Sequence, residues 1–263
     1  MLVRIPSEAE ERVRDLVRCR ETFQREILRS RHYVLKFLRR RGLIYREGDH
    51  WTRKHFRWLN RLLCEGLLIG EDAVVLGEYL ALLDYKLARR EELDRQIEEL
   101  ALQPAYRAAV GRMRCFRGFD TQAGMVLSTE IVDFRRFESP RELMAYVGLV
   151  PSEDSSGDRE RRGSITKAGN SHCRHVLVQA AWSYRHRPAM GAALKRRQRG
   201  QPPAVIGHAW KAQHRLYKFF HRVAARRGPQ VAAVAVAREL VGFIWAVMQD
   251  LELEAEAADR QAA

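Results

Sequence analysis

The chain has 263 residues, 46% of them hydrophobic, and a formal net charge of +14 at pH 7. This length and apolar content are sufficient for one large or two ordinary packed domains, while the charge argues against an ordinary metabolic enzyme and favours a polyanionic partner. Four widely spaced cysteines without a CxxC pair argue against disulfides and a zinc site, and they fit a reducing cytoplasm: Cys19, Cys64, Cys115 and Cys173.

The first long helix is predicted to begin at the S-x-x-E capping box of Ser7 and Glu10 and to end near Gly42. Along it, apolar residues recur at alternating steps of three and four, which is typical of a coiled-coil-like seam: Val13, Leu16, Phe23, Ile27, Val34 and Phe37. After a turn and a short aromatic-basic helix, a second long helix is predicted from about Asp72 to Leu102. The leucine spacing of this second helix predicts an antiparallel helical arm over residues 1–103: Leu76, Leu80, Leu83 and Leu87.

Pro104 marks the start of a second region, predicted over residues 104–250. It opens with a hairpin-like pair of helices that turns sharply at Gly118, where Asp120 is placed to cap the second helix. The next helix is predicted to be capped by Ser139 and Glu142 within "SPRELMAYVGLVP". Strands are scarce, so the predicted fold class is mainly α.

A polar loop follows, and two long helices then complete the predicted region. Asn170 is placed to cap the helix after the loop, and "PPAVIGHAWKAQHRLYKFFHRVAARRG" is a basic helix whose predicted buried face includes Trp210, Leu216, Phe219, Phe220 and Val223. The most apolar segment, Val231–Met248, contains Arg238 and Glu239 and therefore predicts a buried helix instead of a membrane span. The acidic, alanine-rich tail over residues 251–263 is expected to fray.

The segment from Arg161 to Arg238 contains no Asp or Glu, whereas Arg and Lys recur throughout it. A solvated surface normally carries both signs, so this segment predicts a surface for nucleic acid. Arginine suits that partner because its planar guanidinium can hold two phosphate oxygens at once.

The loop "PSEDSSGDRERRGSITKAGNSHCR" combines hydroxyls, glycines and basic side chains. By composition alone it is more typical of a solvated turn, although the same residues also suit a place where a phosphate is attacked. The longer segment from "FDTQAGMVLSTEI" through this loop to "VLVQAAW" closely resembles the C-terminal domain of insertion-sequence transposases that combine a RuvC-like acidic domain with a serine-bearing domain. That family includes bridge-RNA-guided recombinases and a pilin-gene invertase.

The resemblance extends over nearly the whole chain, and the order GLVP…SSG…GSITKAGN is its most specific part. It implies a compact helical transposase domain over residues 104–250 and a dimerisation role for the arm. It also implies a catalytic serine immediately before the glycine of the S-G pair. This residue is Ser156, supported by Gly157, and Ser155 is the adjacent rival.

The loop chemistry is consistent with that implied role. A serine hydroxyl is a poor nucleophile that needs a neighbouring base or metal, and an adjacent glycine lets the backbone approach a phosphate. Basic and polar side chains after the serine are expected to bind DNA or RNA and to neutralise charge in the transition state. The predicted binding residues are Arg159, Arg161, Arg162, Lys167, Asn170, Arg174, Arg215, Lys218 and Arg222.

One departure from the family is large. Family members carry an N-terminal RuvC-like fold with four metal-binding acids, which this sequence does not contain, and Glu130 and Asp133 match structural residues of the family. We therefore expect a truncated or partial transposase with no metal site of its own. Mg²⁺ is expected only together with the RuvC-like domain, and the isolated chain is expected to be inactive.

The resemblance implies transposition of an insertion sequence by serine-assisted DNA cleavage and strand exchange, in the cytoplasm. The expected partner is DNA, with a guide RNA left open, and the chain is expected to form a homo-oligomer or to pair with a full-length transposase, without a membrane. The alternative is a non-catalytic DNA- or RNA-binding protein that modulates an intact transposase.

Overall fold

The computed structural model describes residues 4–153 and 162–249, so the predicted frayed tail over residues 251–263 lies outside the described residues. Within these ranges the chain is mainly helical, which confirms the predicted fold class. The helices are α1 Glu8–Arg40, α2 Arg53–Cys64, α3 Glu71–Leu100, α4 Pro104–Met113, α5 Thr121–Ile131, α6 Pro140–Tyr146, α7 Ser171–Ala181, α8 Ala192–Arg197, α9 Pro203–Arg227 and α10 Pro229–Met248. A 3-10 turn spans Trp182–Arg185, and the strands β1 (Pro151–Glu153) and β2 (Arg162–Ile165) form an antiparallel hairpin that the sequence did not predict.

Local side-chain chemistry sets the two ends of α1. The Ser7 amide donates to the Glu10 carboxylate at 2.8 Å, and the Glu10 amide donates to the Ser7 hydroxyl at 3.3 Å, which confirms the capping box. At the other end Gly42 has a φ of 72°, and the Leu43 amide donates to the Leu38 carbonyl at 3.1 Å. This glycine stop completes the predicted helix.

Two of the three caps predicted in the second region are also confirmed. The side chains of Asp120 and Asn170 each accept a hydrogen bond from a backbone amide three residues further on. Ser139 is the N-cap residue of α6, as predicted, but its hydroxyl caps no amide within the described chain. The Glu142 amide donates to the Ser139 carbonyl at 3.1 Å instead, and the Glu142 carboxylate accepts from the Glu138 amide at 3.1 Å.

The chain divides into two compact units, of which one is Arg18–Gln96. In this unit α1 and α3 run antiparallel, and leucines and aromatic residues of α1, α2 and α3 form its core. Leu80 and Leu87 of the predicted seam are half-buried, whereas Leu76 and Leu83 are fully buried. The ion pairs between the two long helices have the same antiparallel order: Arg20 with Asp94, Glu26 with Lys86, and Arg41 with Asp72.

The same unit contains an aromatic cluster around His55. The His55 ring is fully buried and lies 4.8 Å from the ring of Tyr45 and 5.7 Å from that of Trp58. Its Nδ1 accepts a hydrogen bond from the Trp51 amide at 3.1 Å. Burial, and to a smaller extent the neighbouring His50, lowers the pKa of His55 to about 4.

The other unit contains the described residues up to Val17 and from Ile97 onward. Its core includes α4, α5, α7, α9 and α10, with Val17 of α1 also buried there. The Arg14 side chain donates to the Thr129 carbonyl at 3.1 Å, and the Arg112 side chain donates to the Val247 carbonyl at 2.6 Å. These bonds tie the beginning of α1 and the end of α10 to the hairpin-like helices α4 and α5.

Helix α10 is the most apolar element of this unit. Its length and its mean hydropathy of 1.9 would also suit a membrane span. In the described structure its residues from Ala232 to Met248 contribute repeatedly to the core, and α10 packs against α9, α7 and α6. The Trp245 indole also donates to the Phe137 carbonyl at 2.9 Å. Core packing therefore accounts for the apolar character of this helix, in agreement with the sequence prediction of a buried helix.

The buried His55 predicts a pH-dependent stability of the full chain. Between about pH 6.5 and pH 4 the unfolded chain takes up a proton on His55 that the folded chain does not bind. The free energy of unfolding should therefore fall across this window by at most roughly 3 kcal/mol, and the contribution should be complete above pH 6.5. Replacement His55→Phe should remove this component in urea unfolding followed by fluorescence at pH 7 and pH 5. His32→Phe, at an exposed position on α1, is the matched control; an unchanged pH dependence in His55→Phe would contradict the assignment.

Candidate functional site

The predicted catalytic loop is bordered by the β1–β2 hairpin. Pro151 pairs with Ile165, and the Ser152 hydroxyl donates to the Ser164 carbonyl at 3.0 Å. The residues that flank segment 154–161 on either side are thus paired with each other in the hairpin. The predicted residues Ser155, Ser156, Gly157, Arg159 and Arg161 lie outside the described residues, and of Arg162 only the backbone position at the start of β2 is described.

Two glycines permit a direct backbone contact at the base of this hairpin. A Cβ atom on Gly148 would lie 2.0 Å from the Ala168 carbonyl oxygen, and one on Gly169 would lie 2.1 Å from the Tyr146 carbonyl oxygen. Both glycines also have positive φ, 67° and 88°. The Asn170 amide donates to the Tyr146 carbonyl at 3.0 Å across this contact. These contacts join the GLVP and KAGN parts of the predicted motif, residues 148–151 and 167–170, into one structural unit, which we call the frame.

Glu130, whose carboxylate is buried, is hydrogen-bonded to side chains next to or within both segments of the frame. Glu130, near the end of α5, is 4% exposed, and its Oε2 accepts a hydrogen bond from the Asn170 side-chain nitrogen at 2.6 Å. The Tyr146 hydroxyl donates to the Glu130 carbonyl at 2.9 Å. Asn170 also accepts from the Cys173 amide at 3.0 Å, so both ends of its side-chain amide are bonded within the protein. The structure therefore places Asn170 inside the frame as a positioning residue for α7 and the loop base.

The chain turns abruptly after this carboxylate. Val132 has φ 65° and ψ −64°, and the Asp133 amide donates to the Ile131 carbonyl at 2.8 Å, which together form a γ-turn. A β-branched residue at positive φ is strained, and such strain persists only where surrounding structure holds it. Here the strained turn at Val132 terminates α5 directly after Ile131, two residues after Glu130.

The acids at this end of α5 are occupied by protein partners. The Asp133 carboxylate accepts from the Arg135 amide at 2.9 Å and from its Nε at 3.2 Å, while Glu130 holds Asn170. Across residues 4–153 and 162–249, no group of three or more His, Cys, Asp or Glu side chains could hold a metal ion. Among the described residues, neither Glu130 nor Asp133 therefore belongs to such a group.

The two other predicted basic residues near the loop have different surroundings. Arg174 is half-buried, and its Nη1 donates to the Val147 carbonyl at 2.9 Å. Lys167 is exposed on the turn before α7, with a φ of 54°, and its amide donates to the Gly148 carbonyl at 3.2 Å. Arg174 therefore braces the frame, whereas Lys167 presents its charge to solvent beside it.

The remaining predicted basic residues line a separate cleft, which we call the α9 cleft. It has a volume of about 850 Å³ and is lined by Trp210, Lys211, His214, Arg215, Lys218, Phe219, Arg222 and Glu239. Its basic residues recur at steps of three and four along α9, which places them in one stripe on the helix surface. The structure thus brings the predicted Arg215, Lys218 and Arg222 together and adds Lys211 to them.

The stripe is strongly cationic. Glu239 of α10 is the one acid in the cleft lining, and its carboxylate accepts from Arg215 at 2.8 Å. The Arg222 guanidinium lies over the Phe219 ring, 5.2 Å from its centroid. Lys211 and Lys218 are exposed to solvent.

Another histidine of α9, His208, is partly buried and shares a neighbouring pocket with Arg215 and Glu239. Burial, with a smaller effect from Lys211, lowers the pKa of His208, although a hydrogen bond with the Phe243 backbone opposes this shift. The lowered pKa favours the neutral form of His208.

Trp210 is the functional candidate that sequence reasoning missed. It was predicted to be buried, but its side chain is 36% exposed and its ring lies 4.6 Å from that of His214. The prediction was wrong because position 210 lies at the border of the buried face that contains Ala209, Leu216 and Phe220. The missed signal is the W-x-x-x-H spacing, which runs beside the basic stripe.

Comparison with known proteins shows similarity to transposases. Residues 112–195, which include the frame and the loop, match the family described as Transposase IS116/IS110/IS902 family. The chain is 36% identical over 247 residues to the putative transposase y4qE of Sinorhizobium fredii, covering 94% of this chain and 59% of that relative. It is 28% identical over 224 residues to the transposase for insertion sequence element IS1533 of Leptospira borgpetersenii, covering 84% of this chain and 64% of the relative.

A third relative, the transposase for insertion sequence element IS1111A of Coxiella burnetii, is 24% identical over 79% of this chain and 52% of its own length. The chain therefore spans less than two thirds of each of these three relatives. It is related to transposases of the IS116/IS110/IS902 family, which confirms the predicted family resemblance at this level. The RuvC-like domain, the guide RNA and the role of the serine stay predictions.

The contact between Glu130 and Asn170 predicts an unusual response to a conservative substitution. Asn170→Asp keeps a good capping oxygen for α7 but sets a second carboxylate against Glu130, which should lower the free energy of unfolding by about 3 kcal/mol at pH 7. The loss should shrink toward pH 4, because one of two close carboxyls then takes up a proton.

Thr52→Ser is the matched control, since it keeps the capping oxygen of α2 and should change stability by only a few tenths of a kcal/mol. Chemical denaturation at the two pH values measures both variants. An Asn170→Asp protein as stable as the wild type at pH 7 would show that the two side chains do not face each other.

Proposed function

We propose that this chain is part of an insertion-sequence transposase that cleaves and exchanges DNA strands with the help of a loop serine. The match of residues 112–195 to the IS116/IS110/IS902 transposases is the observation that carries the proposal, because the matched segment contains the frame, the loop and the start of α7. The basic α9 cleft in the same unit supports DNA as the substrate.

In the proposed reaction Ser156 is the nucleophile. Its hydroxyl oxygen attacks a DNA phosphorus, an Oγ–P bond forms, and the bond from phosphorus to one deoxyribose oxygen breaks. The serine proton ends on that departing oxygen, so the products are a phosphoserine link and a free DNA hydroxyl. A hydroxyl of another strand then attacks the phosphoserine, which forms a new phosphodiester and returns the proton to Ser156.

The described residues are proposed to position this chemistry. The glycine contact and the Asn170–Glu130 hydrogen bond hold the two ends of the loop together, so that the nucleophile is carried by a closed frame. Lys167 is exposed next to the frame and is proposed to bind a DNA phosphate, together with Arg159, Arg161 and Arg162. Arg174 supports them indirectly through the Val147 carbonyl.

The whole transposase is proposed to act in the cytoplasm and to require paired subunits, with residues 1–103 as the contact region. The partner is either a second copy or a full-length relative, and a guide RNA is compatible with the same basic surface. Because members of the family that this chain resembles carry a metal-binding acidic domain, activation of Ser156 is proposed to depend on that domain. That domain would supply the divalent metal.

DNA binding through phosphates predicts a strong dependence on salt. If about six to ten phosphates are contacted, the affinity of the full chain for duplex DNA should fall by about 10³–10⁵ between 50 and 200 mM salt. Fluorescence anisotropy across this salt range measures the slope. A flat response would contradict a phosphate-dominated interface.

The nucleophile is tested in a chimera that carries the acidic domain of a relative ahead of Val3. With labelled terminal DNA, Ser156→Ala should abolish the covalent protein–DNA adduct on a denaturing gel, because the attacking oxygen is gone, while salt-sensitive binding remains nearly intact. Ser155→Ala is the matched control and should have a much smaller effect. An adduct that survives Ser156→Ala and disappears with Ser155→Ala would identify the other serine as the nucleophile, and cleavage by the unmodified chain without metal would overturn the need for the acidic domain.

A further inference from the structure

We propose that the α9 cleft binds an unpaired DNA strand, with Trp210 stacking on a base and the adjacent basic stripe following the phosphates. This inference rests on the proposed function for the identity of the substrate, and it adds the strand state that the cleft recognises. Duplex DNA would use the same charges but not the tryptophan, since its bases are already stacked on one another.

The exposed tryptophan is suited to stacking. Trp210 is 36% exposed in the wall of a cleft, and the edge-on contact with His214, with a centroid distance of 4.6 Å and an interplanar angle of 79°, restricts its orientation. A large aromatic ring held in this way loses little conformational freedom when a flat ligand stacks on it. Every nucleic-acid base presents such a flat face once it is unpaired.

Basic residues of α9 form a row beside the Trp210 ring. Lys211, Lys218 and Arg222 share one stripe of α9 with Arg215, and the stripe is about 16 Å long at a rise of 1.5 Å per residue. A single row of cations suits one phosphate backbone. Together with an exposed aromatic ring, such a groove is the combination by which proteins hold single strands without reading their sequence.

The opposite wall of the cleft is formed by α10. Glu239 projects from α10 into the cleft, and its ion pair with Arg215 at 2.8 Å neutralises the middle of the stripe. Paired with this carboxylate, Arg215 attracts a phosphate less strongly than the lysines of the stripe do. The DNA phosphate backbone is therefore directed toward the exposed amines of Lys211 and Lys218. Lys211 directly follows Trp210 along α9.

The test compares a thymidine oligonucleotide with a duplex of equal length, both labelled, in anisotropy titrations of the full chain. Trp210→Ala should weaken single-strand binding by about 5- to 100-fold and leave duplex binding within about two-fold. Trp210→Phe should retain most of the affinity, because a smaller ring still stacks. Val231→Ala, which truncates an exposed apolar side chain of α10 outside the cleft lining, is the control and should change neither affinity.

The charge component is measured separately through salt. Lys218→Gln should lower the slope of log affinity against log salt for the single strand by about 0.7, whereas Trp210→Ala should leave that slope unchanged. An RNA oligonucleotide of the same base sequence should respond in the same way, since neither stacking nor phosphate contact requires a particular sugar. A Trp210 effect confined to RNA would overturn the assignment to DNA.

Tryptophan fluorescence provides a readout that does not depend on the alanine variant folding well. Binding of the oligonucleotide should quench the emission of the wild-type chain, and this quenching should be lost in Trp210→Phe although the strand still binds. Equal weakening of single-strand and duplex binding by Trp210→Ala, or unchanged quenching in Trp210→Phe, would overturn the proposal. These binding measurements require no cleavage, so a failure of the serine chemistry and a failure of the cleft proposal can be told apart.

Discussion

The contact between two backbone segments at Gly148 and Gly169 is the constraint on which the loop frame depends. Carbonyl oxygens lie about 2 Å from where the first side-chain atoms would be, so any other residue at these positions would force the segments apart. The separation would break the bond from the Asn170 amide to the Tyr146 carbonyl and move the start of α7. The base of the β1–β2 hairpin would open with it, because the Lys167 amide bonds to the Gly148 carbonyl at the same place.

Polar groups beneath the frame convert that contact into a defined position. A buried carboxylate is costly unless it is paired or hydrogen-bonded, and Glu130 satisfies this requirement by binding Asn170. The strained γ-turn at Val132 then leads the chain away immediately after the carboxylate. Strain and burial are both unfavourable by themselves, and their occurrence at one point indicates that the surrounding packing maintains this geometry.

The positive charge of the second region serves two physical purposes. The guanidinium groups of Arg112 and Arg174 donate hydrogen bonds to backbone carbonyls and thereby stabilise the fold. Lys167, Lys211 and Lys218 remain exposed and are available to an anionic partner. A long segment without acids therefore contains both structural and surface cations, and only their burial and hydrogen bonds distinguish the two groups.

The sequence by itself determined the features that depend on local chemistry. The capping box at Ser7, the glycine stop at Gly42 and the caps at Asp120 and Asn170 involve residues only a few positions apart, so their spacing is enough to predict them. Helical periodicity likewise predicted the mainly α fold and the antiparallel order of α1 and α3 in their unit. A motif order was sufficient to identify the transposase relationship.

The tertiary structure alone decided which of the predicted residues act on the fold and which face solvent. Asn170 donates a hydrogen bond to Glu130, which lies forty positions earlier in the sequence. Trp210 lies at the border of the buried face of α9, and no described residue of its unit covers it fully. The β1–β2 hairpin depends on pairing between segments separated by the loop. Contacts of this kind are set by how distant elements pack, and a one-dimensional pattern carries no distance between them.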